Sequence, residues 1–174
     1  MDRRTLLGSL AALITSPLAK DWLDGSAGPG DLEIGERLVS LLQESRTSFA
    51  FRAGMERLLA GGPGPNAIWK LHLEDETSDA ERYQNDLDAR ASRMLRCHEI
   101  ARAEVLDVTT SRGRLEADDV TFQALPPNLI AVGCILSVDD RPVVRVASGG
   151  FPFVTAGGDV TIAWDKERGI VTLA

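Results

Sequence analysis

Two histidines and two cysteines are the side chains of this sequence best suited to metal or redox chemistry. His72 and His98 share no metal-binding motif, and Cys97 and Cys134 do not form a CxxC pair. Zinc sites are usually built from two cysteines or two histidines that are only a few residues apart, and this sequence has no such pair. Cys134 lies in an apolar run, which is typical of a small core residue. We therefore predict no metal site, and the sequence leaves open whether the two cysteines pair.

Two acidic pairs, Asp118-Asp119 and Asp139-Asp140, have the residue types of a calcium site or a catalytic dyad. Both pairs flank predicted strands at turns, where aspartate commonly hydrogen-bonds the local backbone, so a turn role is favoured. No helix follows the glycine pairs at 149–150 and 157–158, so neither is a phosphate loop. No serine lies in a GxSxG elbow, and no histidine or acid is spaced to suggest a triad. We predict no enzyme activity and no catalytic, cofactor-binding or metal-binding residue.

The last third of the chain has the pattern of short strands joined by tight turns. Residues 129–138 are mostly apolar and predict a strand buried on both faces, with Ile130, Val132, Cys134, Leu136 and Val138 on one of them. Further strands are predicted at 120–122, 143–147, 151–155, 160–164 and 170–173, with turns at 139–142, 149–150, 157–159 and 165–169. The predicted core includes Phe122, Ile130, Val132, Leu136, Val144, Val146, Ile162 and Trp164. No helical crossovers separate these strands, which favours an antiparallel β-sandwich or jelly-roll-like domain.

Upstream, the pattern predicts a mixture of helices and strands. Residues 68–73 alternate as a strand with Trp69, Leu71 and Leu73 on one face. A helix is predicted at 79–90, and extended structure at 104–110. Two earlier helices are predicted, one starting near Asp31 with Ile34, Leu38, Leu41 and Leu42 on one face, and one capped by Ser48 and ended by the glycines from Gly61.

Residues 1–45 are predicted to be a helical N-terminal extension with a Gly/Pro hinge at 24–31, followed by a β-sandwich-like domain at 46–174. The extension is expected to serve assembly, because its apolar stripe needs a partner surface. The predicted interface residues are Leu6, Leu10, Leu13, Ile14 and Trp22. The pair Arg3-Arg4 before a short apolar stretch also resembles a twin-arginine export signal, although an amphipathic helix ended by Pro17 is favoured.

Composition limits the function classes. The chain has 174 residues, 44% of them hydrophobic, which is ordinary for one soluble globular domain with an appendage. Its net charge of -7 argues against a nucleic-acid-binding surface, because phosphate contacts need clustered lysine and arginine. No segment has the length and apolarity of a transmembrane helix, so we predict no membrane partner.

Two segments in the C-terminal half most closely resemble a family of small virion structural proteins from tailed bacteriophages. Residues 117–124, Ala-Asp-Asp-Val-Thr-Phe-Gln-Ala, resemble the family's A-D-D-V-T-F-x-A strand. Residues 157–165, Gly-Gly-Asp-Val-Thr-Ile-Ala-Trp-Asp, resemble its G-G-D-I-T-I-x-W-D signature. The segment from Phe49 to Leu73 is similar to the family's opening helix and strand, so the resemblance covers about residues 46–174.

The resemblance implies a non-enzymatic virion component, best matched by a capsid decoration or cement protein. Its implied partners are other capsid or tail subunits, in a homo-oligomer or a lattice, and its implied location is the virion, assembled in the host cytoplasm. A tail or head-to-tail connector component is an alternative within this class. An exported bacterial binding protein is the alternative that the Arg3-Arg4 start supports.

Overall fold

The protein is built mainly of antiparallel β-structure with short helices around it. The computed structural model describes residues 29–43, 47–60, 62–111, 114–148, 150–164 and 171–172. Its helices are α1 (Pro29–Gln43), α2 (Arg52–Leu59) and α3 (Ala91–Met94), with a 3-10 helix at Ala80–Tyr83. Its strands are β1 (Phe49–Ala50), β2 (Trp69–Asp75), β3 (Glu99–Glu104), β4 (Thr109–Ser111), β5 (Arg114–Glu116), β6 (Val120–Val138), β7 (Arg141–Val146), β8 (Phe153–Ile162) and β9 (Val171–Thr172). The predicted mainly-β fold is confirmed.

The long strand β6 organises the larger sheet. The strand order is β1-β7-β6-β2-β3, and β8 also pairs with β6. Residues 134–138 of β6 pair with β7, whereas residues 120–131 pair with β8. A second sheet has the order β4-β5-β9. All of these pairings are antiparallel.

A two-residue turn joins β6 to β7. Asp139 and Asp140 have φ angles of 47° and 66°, and Val138 pairs with Arg141 across the hairpin. A positive φ at both central residues is the requirement of a type I′ turn, whose twist matches that of the strands. The predicted turn after Val138 is confirmed, although Arg141 and Pro142 already belong to β7.

The predicted turn at 157–159 is wrong, because these residues lie inside β8. Gly157 and Gly158 have φ angles of 84° and 106°, and the pairing register with β6 shifts between Phe122 and Leu125. Glycine tolerates such angles without steric cost, so the pair forms an irregularity within a continuous strand. Sequence pattern alone does not distinguish a glycine pair in a turn from one in a bulge.

The main core lies on one face of the large sheet. The strand prediction for 68–73 is confirmed, and Trp69, Leu71 and Leu73 all enter this core. Leu115 of the small sheet belongs to the same cluster, so the two sheets share apolar contacts. The other members of the cluster are Val105, Val120, Phe122, Leu125, Ala131, Cys134, Leu136, Val138, Val143 and Val144.

The prediction that Ile130 and Val132 share a face with Cys134 and Leu136 is wrong. The pairing register between β6 and β2 shifts by one residue on β6, between Ala131 and Gly133. A one-residue irregularity changes which side of the sheet the following side chains occupy. Ile130 and Val132 pack in a separate cluster with Leu38 and Leu41 of α1, whereas Cys134 and Leu136 enter the main core.

The predicted core residues are mostly buried. Phe122, Ile130, Val132, Leu136 and Val144 are buried. Val146, Ile162 and Trp164 are half-buried and pack against the edge of the main core.

The predicted helix at 79–90 is wrong. A 3-10 helix covers Ala80–Tyr83, and turns follow, in which the Asp86 carboxylate accepts the backbone N–H of Asp88. Such an aspartate turn competes with helix formation. The extended prediction at 104–110 holds only at its ends, where β3 finishes at Glu104 and β4 begins at Thr109.

Ser48 does not cap a helix. Its Oγ accepts the backbone N–H of Ala147 at 3.0 Å, so it joins the chain before β1 to the end of β7. Helix α2 begins at Arg52 after Phe51, which gives no side-chain cap.

Helix α1 packs on the chain's own sheet. It begins at Pro29, so residues 29–31 of the predicted hinge form its first turn, where proline is well tolerated. Leu38 and Leu41 are buried against Ile130 and Val132, and Arg37 forms an ion pair with Glu76. The predicted division at residue 45 stays a prediction. The predicted interface residues Leu6, Leu10, Leu13, Ile14 and Trp22, and the loop at 165–169, lie outside the described residues.

We expect α1 to stabilise the β-domain. Leu41→Ala should lower the free energy of unfolding by about 2 to 5 kcal/mol, through lost burial and the cavity left behind. Glu36→Ala, at an exposed position of the same helix, is the matched control and should change it by less than about 0.5 kcal/mol. Urea unfolding measures both. Equal small effects would show that α1 contributes nothing to the domain.

Candidate functional site

The second face of the large sheet is polar and buried. On β2, His72 and Glu74 point away from the main core and are 3% and 0% exposed. A separate apolar cluster covers this face. It consists of Phe51, Ala53, Ala80, Ala89, Met94, Leu95 and Ile135. Four members of this cluster lie in the chain between β2 and β3, which therefore covers part of the buried polar surface.

A charge network lies at the centre of this face. Arg145 of β7 donates from Nε to the Glu74 carboxylate, and from Nη1 to Glu81 at 2.9 Å. The second oxygen of Glu74 accepts the Ser78 hydroxyl at 2.6 Å. Arg145 and Glu74 are almost fully buried, whereas the Glu81 side chain is 57% exposed. The network therefore runs from the buried sheet to the surface through Glu81.

Two neighbours fit closely around this network. The guanidinium carbon of Arg145 lies 5.9 Å from the ring centre of Phe49, a distance typical of a cation–π contact. Gly133 on β6 faces Glu74, and a Cβ there would overlap the Glu74 carboxylate and lie 2.9 Å from the carbonyl oxygen of Val146. Gly133 therefore leaves the space that the buried carboxylate occupies.

A histidine joins three strands on the same face. His72 Nε2 and Ser137 Oγ are 2.9 Å apart, and Ser137 also approaches the Lys70 carbonyl at 3.5 Å. His72 Nδ1 lies 3.5 Å from Glu99 of β3. That separation is at the outer limit of a hydrogen bond, and within the described residues Nδ1 has no other partner. Hydrogen bonding with His72 lowers the pKa of Glu99, against the opposing effect of burial.

Ser137, His72 and Glu99 are the residue types of a hydrolase triad, an arrangement that the sequence did not predict. Ser137 is 1% exposed and His72 is 3% exposed, so the hydroxyl and the imidazole are closed off from solvent. A catalytic serine must reach its substrate. In this structure the three residues instead form a polar bridge across β6, β2 and β3.

The second histidine forms a smaller network near the surface. Thr77 Oγ1 lies 2.6 Å from Asp75 Oδ1 and 2.8 Å from His98 Nδ1. The described residues contain no group of three metal-ligating side chains able to hold an ion. Cys97 is exposed and Cys134 is buried, both as free thiols, and burial raises the pKa of Cys134.

The acidic pairs were predicted to hydrogen-bond the local backbone, but the side-chain partners of Asp139 and Asp140 are distant in the sequence. Asp139 accepts the Ile68 N–H at 3.0 Å. Asp140 accepts both the N–H and the hydroxyl of Ser92. The aspartates therefore connect segments that are far apart in the sequence. The residue preferences of turns describe only local bonds and do not indicate such connections.

The two segments that carry the phage resemblance are adjacent strands. Residues 120–122 of β6 pair with residues 160–162 of β8. Their polar residues bond across this pair. Asp119 accepts the Trp164 N–H at 3.2 Å, the carbonyl of Asp118 accepts Trp164 Nε1–H at 3.0 Å, and Asp159 accepts the Ala124 N–H at 2.8 Å. We call residues 118–124 and 157–164 the motif pair.

Comparisons with protein-family models, with curated proteins and with solved structures found no match. No helix among the described residues is long and apolar enough to cross a membrane.

We expect Glu74 and Arg145 to be strongly coupled. Glu74→Gln or Arg145→Met alone should each lower the free energy of unfolding by about 3 to 5 kcal/mol, because each leaves a buried polar partner unmatched. The double variant should lose less than the sum of the two. A parallel cycle on the exposed pair Arg52–Glu56 should give a coupling below about 1 kcal/mol. Additive losses at Glu74 and Arg145 would contradict the network.

Glu99 should make stability depend on acid pH. Its pKa is lowered in the folded protein, so its contribution is present above its unfolded pKa and disappears as pH falls through the folded value. The stability difference between wild type and Glu99→Gln should therefore be largest near neutral pH and shrink below about pH 4.5. Glu104→Gln, exposed on the same strand, is the control. A difference independent of pH would contradict a lowered pKa of Glu99.

Proposed function

We propose that this protein is a non-enzymatic structural protein of tailed-bacteriophage virions, acting as a capsid decoration or cement component. The motif pair is the observation that carries this proposal. The two segments that resemble the phage family lie far apart in the sequence, yet they pair as strands and exchange side-chain bonds through Asp119, Asp159 and Trp164. Such cooperation supports the resemblance, because a chance match of two short segments has no reason to form one structural unit.

The proposed domain is a β-sandwich or jelly-roll-like structure. Its support is the shared core, in which Leu115 of the small sheet packs with Phe122 and Leu136 of the large sheet. Two sheets that bury their inner faces against each other are the basis of sandwich folds. A domain of this kind presents strand edges and loops to neighbours, which suits a subunit of a lattice.

The absence of catalysis is part of the proposal. The Ser137–His72–Glu99 bridge has hydrolase residue types, but Ser137 is 1% exposed and His72 is 3% exposed, so neither the serine nor the imidazole is open to a substrate. We assign this bridge to stabilising the sheet, and propose no cofactor.

The proposed partners are other virion subunits, and the proposed location is the virion, assembled in the host cytoplasm. The net charge of -7 favours a protein-facing position over one against packaged DNA. Within the same class, a tail or head-to-tail component would use the same β-domain.

The proposal is tested on particles purified from cells that carry the gene. We expect peptides of this chain in the particle band of a density gradient, with an intact Met1 or Asp2 terminus by mass spectrometry. An antibody against the chain, viewed by electron microscopy, then distinguishes capsid from tail. Recovery only in the periplasm, with the terminus removed, would contradict the virion role and support the exported alternative with its Arg3-Arg4 signal.

A further inference from the structure

Three arginines form an exposed row around α3. Arg90, Arg93 and Arg96 follow at three-residue spacing and all are exposed. Within the described part of the chain, none of the three has an ion pair or a side-chain hydrogen bond. Most other described arginines have a carboxylate partner, as Arg52 has Glu56. The row is therefore the main cationic surface left for a partner.

The row stands on a fixed base. Ala91, Met94 and Leu95 point inward and are buried, so the intervening positions point outward. The start of α3 is held by Asp140, whose backbone oxygen accepts the Ala91 N–H at 2.8 Å and whose carboxylate accepts two bonds from Ser92. A charged row with a rigid base loses less conformational entropy on binding than one on a free loop.

Acidic residues directly precede the row. Asp86 and Asp88 are exposed and have no cationic partner among the described residues. Leu87 lies between them and is 41% exposed, one of the few large apolar side chains on the described surface. The order along the segment is thus two carboxylates around an apolar residue, followed by three guanidinium groups.

We propose that this segment, residues 86–96, is a self-complementary contact with a second copy of the same chain. When two copies meet about a two-fold axis perpendicular to the segment, the segments run in opposite directions, and each Asp86–Asp88 pair faces the Arg93–Arg96 pair of the other copy. Leu87 then adds apolar contact area. Isologous contacts of this type are the commonest in homo-oligomers.

The same pattern disfavours nucleic acid as the partner. Two carboxylates beside the arginines would repel phosphate groups, and like charges at an interface are costly. This inference deepens the proposed function by naming a partner, and it rests on that function only for its biological setting. Its test needs no virion, so the two can fail separately.

The experiment measures the association of the full chain by sedimentation equilibrium. We expect a dimer in low salt that weakens between about 0.05 and 0.5 M NaCl, as screening shortens the range of charge attraction. The paired substitutions Arg93→Glu/Arg96→Glu should raise the dimer dissociation constant about tenfold or more. The matched control is Arg52→Glu/Arg57→Glu, which makes the same change of charge on α2 and should leave association unchanged.

A charge swap gives the decisive result. Asp86→Arg/Asp88→Arg alone should also be monomeric, but mixed with Arg93→Glu/Arg96→Glu it should form a heterodimer, because both halves of the contact become complementary. If circular dichroism shows that either variant is unfolded, the salt dependence of the wild-type dimer and the association of the other variant still test the contact. A monomeric wild type at low salt, or the absence of a heterodimer, would overturn the proposal. Binding of a short DNA duplex that needs Arg93 and Arg96 would replace it with a phosphate site.

Discussion

The buried ion pair of Glu74 and Arg145 is the constraint on which the arrangement around the large sheet depends. Taking two charges out of water is costly, and the pair is stable only where good geometry and further hydrogen bonds satisfy the remaining groups. Ser78 and Glu81 provide those bonds, and both belong to the segment that covers the sheet. The cover is therefore held in place by the charge that it shields. Gly133 is required for the same reason, because a larger residue would displace the carboxylate.

Strand β6 connects the separate parts of the core. Ile135 and Leu136 alternate normally between the cover cluster and the main core, and the irregularity between Ala131 and Gly133 turns Ile130 away from the main core toward α1. A regular strand of this length would present only two constant faces. The bulges therefore allow one strand to join three apolar clusters, at the cost of local ladder hydrogen bonds.

The sequence predicted where the strands lie better than it predicted how they pair. Alternation identified β2, because burial of one sheet face leaves a period of two, and a continuous apolar run identified the apolar part of β6. The reading of turn residues failed at Gly157 and Gly158, where one residue type suits both a turn and a bulge. The sequence did not predict the polar bridge, because His72, Glu99 and Ser137 come together only through the pairing of three strands. Pairing register is a tertiary property that depends on contacts between segments far apart in the sequence.

The position of β2 between β6 and β3 has a consequence for the order of folding. The β6–β7 hairpin needs only a two-residue turn, whereas β2 pairs with β6 across a long intervening chain. Closing that loop carries a larger entropic cost, so the hairpin is the natural early element. Arg145 is then already on the hairpin before Glu74 can reach it. During synthesis the strand that carries the Glu74 carboxylate leaves the ribosome first, and the carboxylate has no ion-pair partner until Arg145 has also been synthesised.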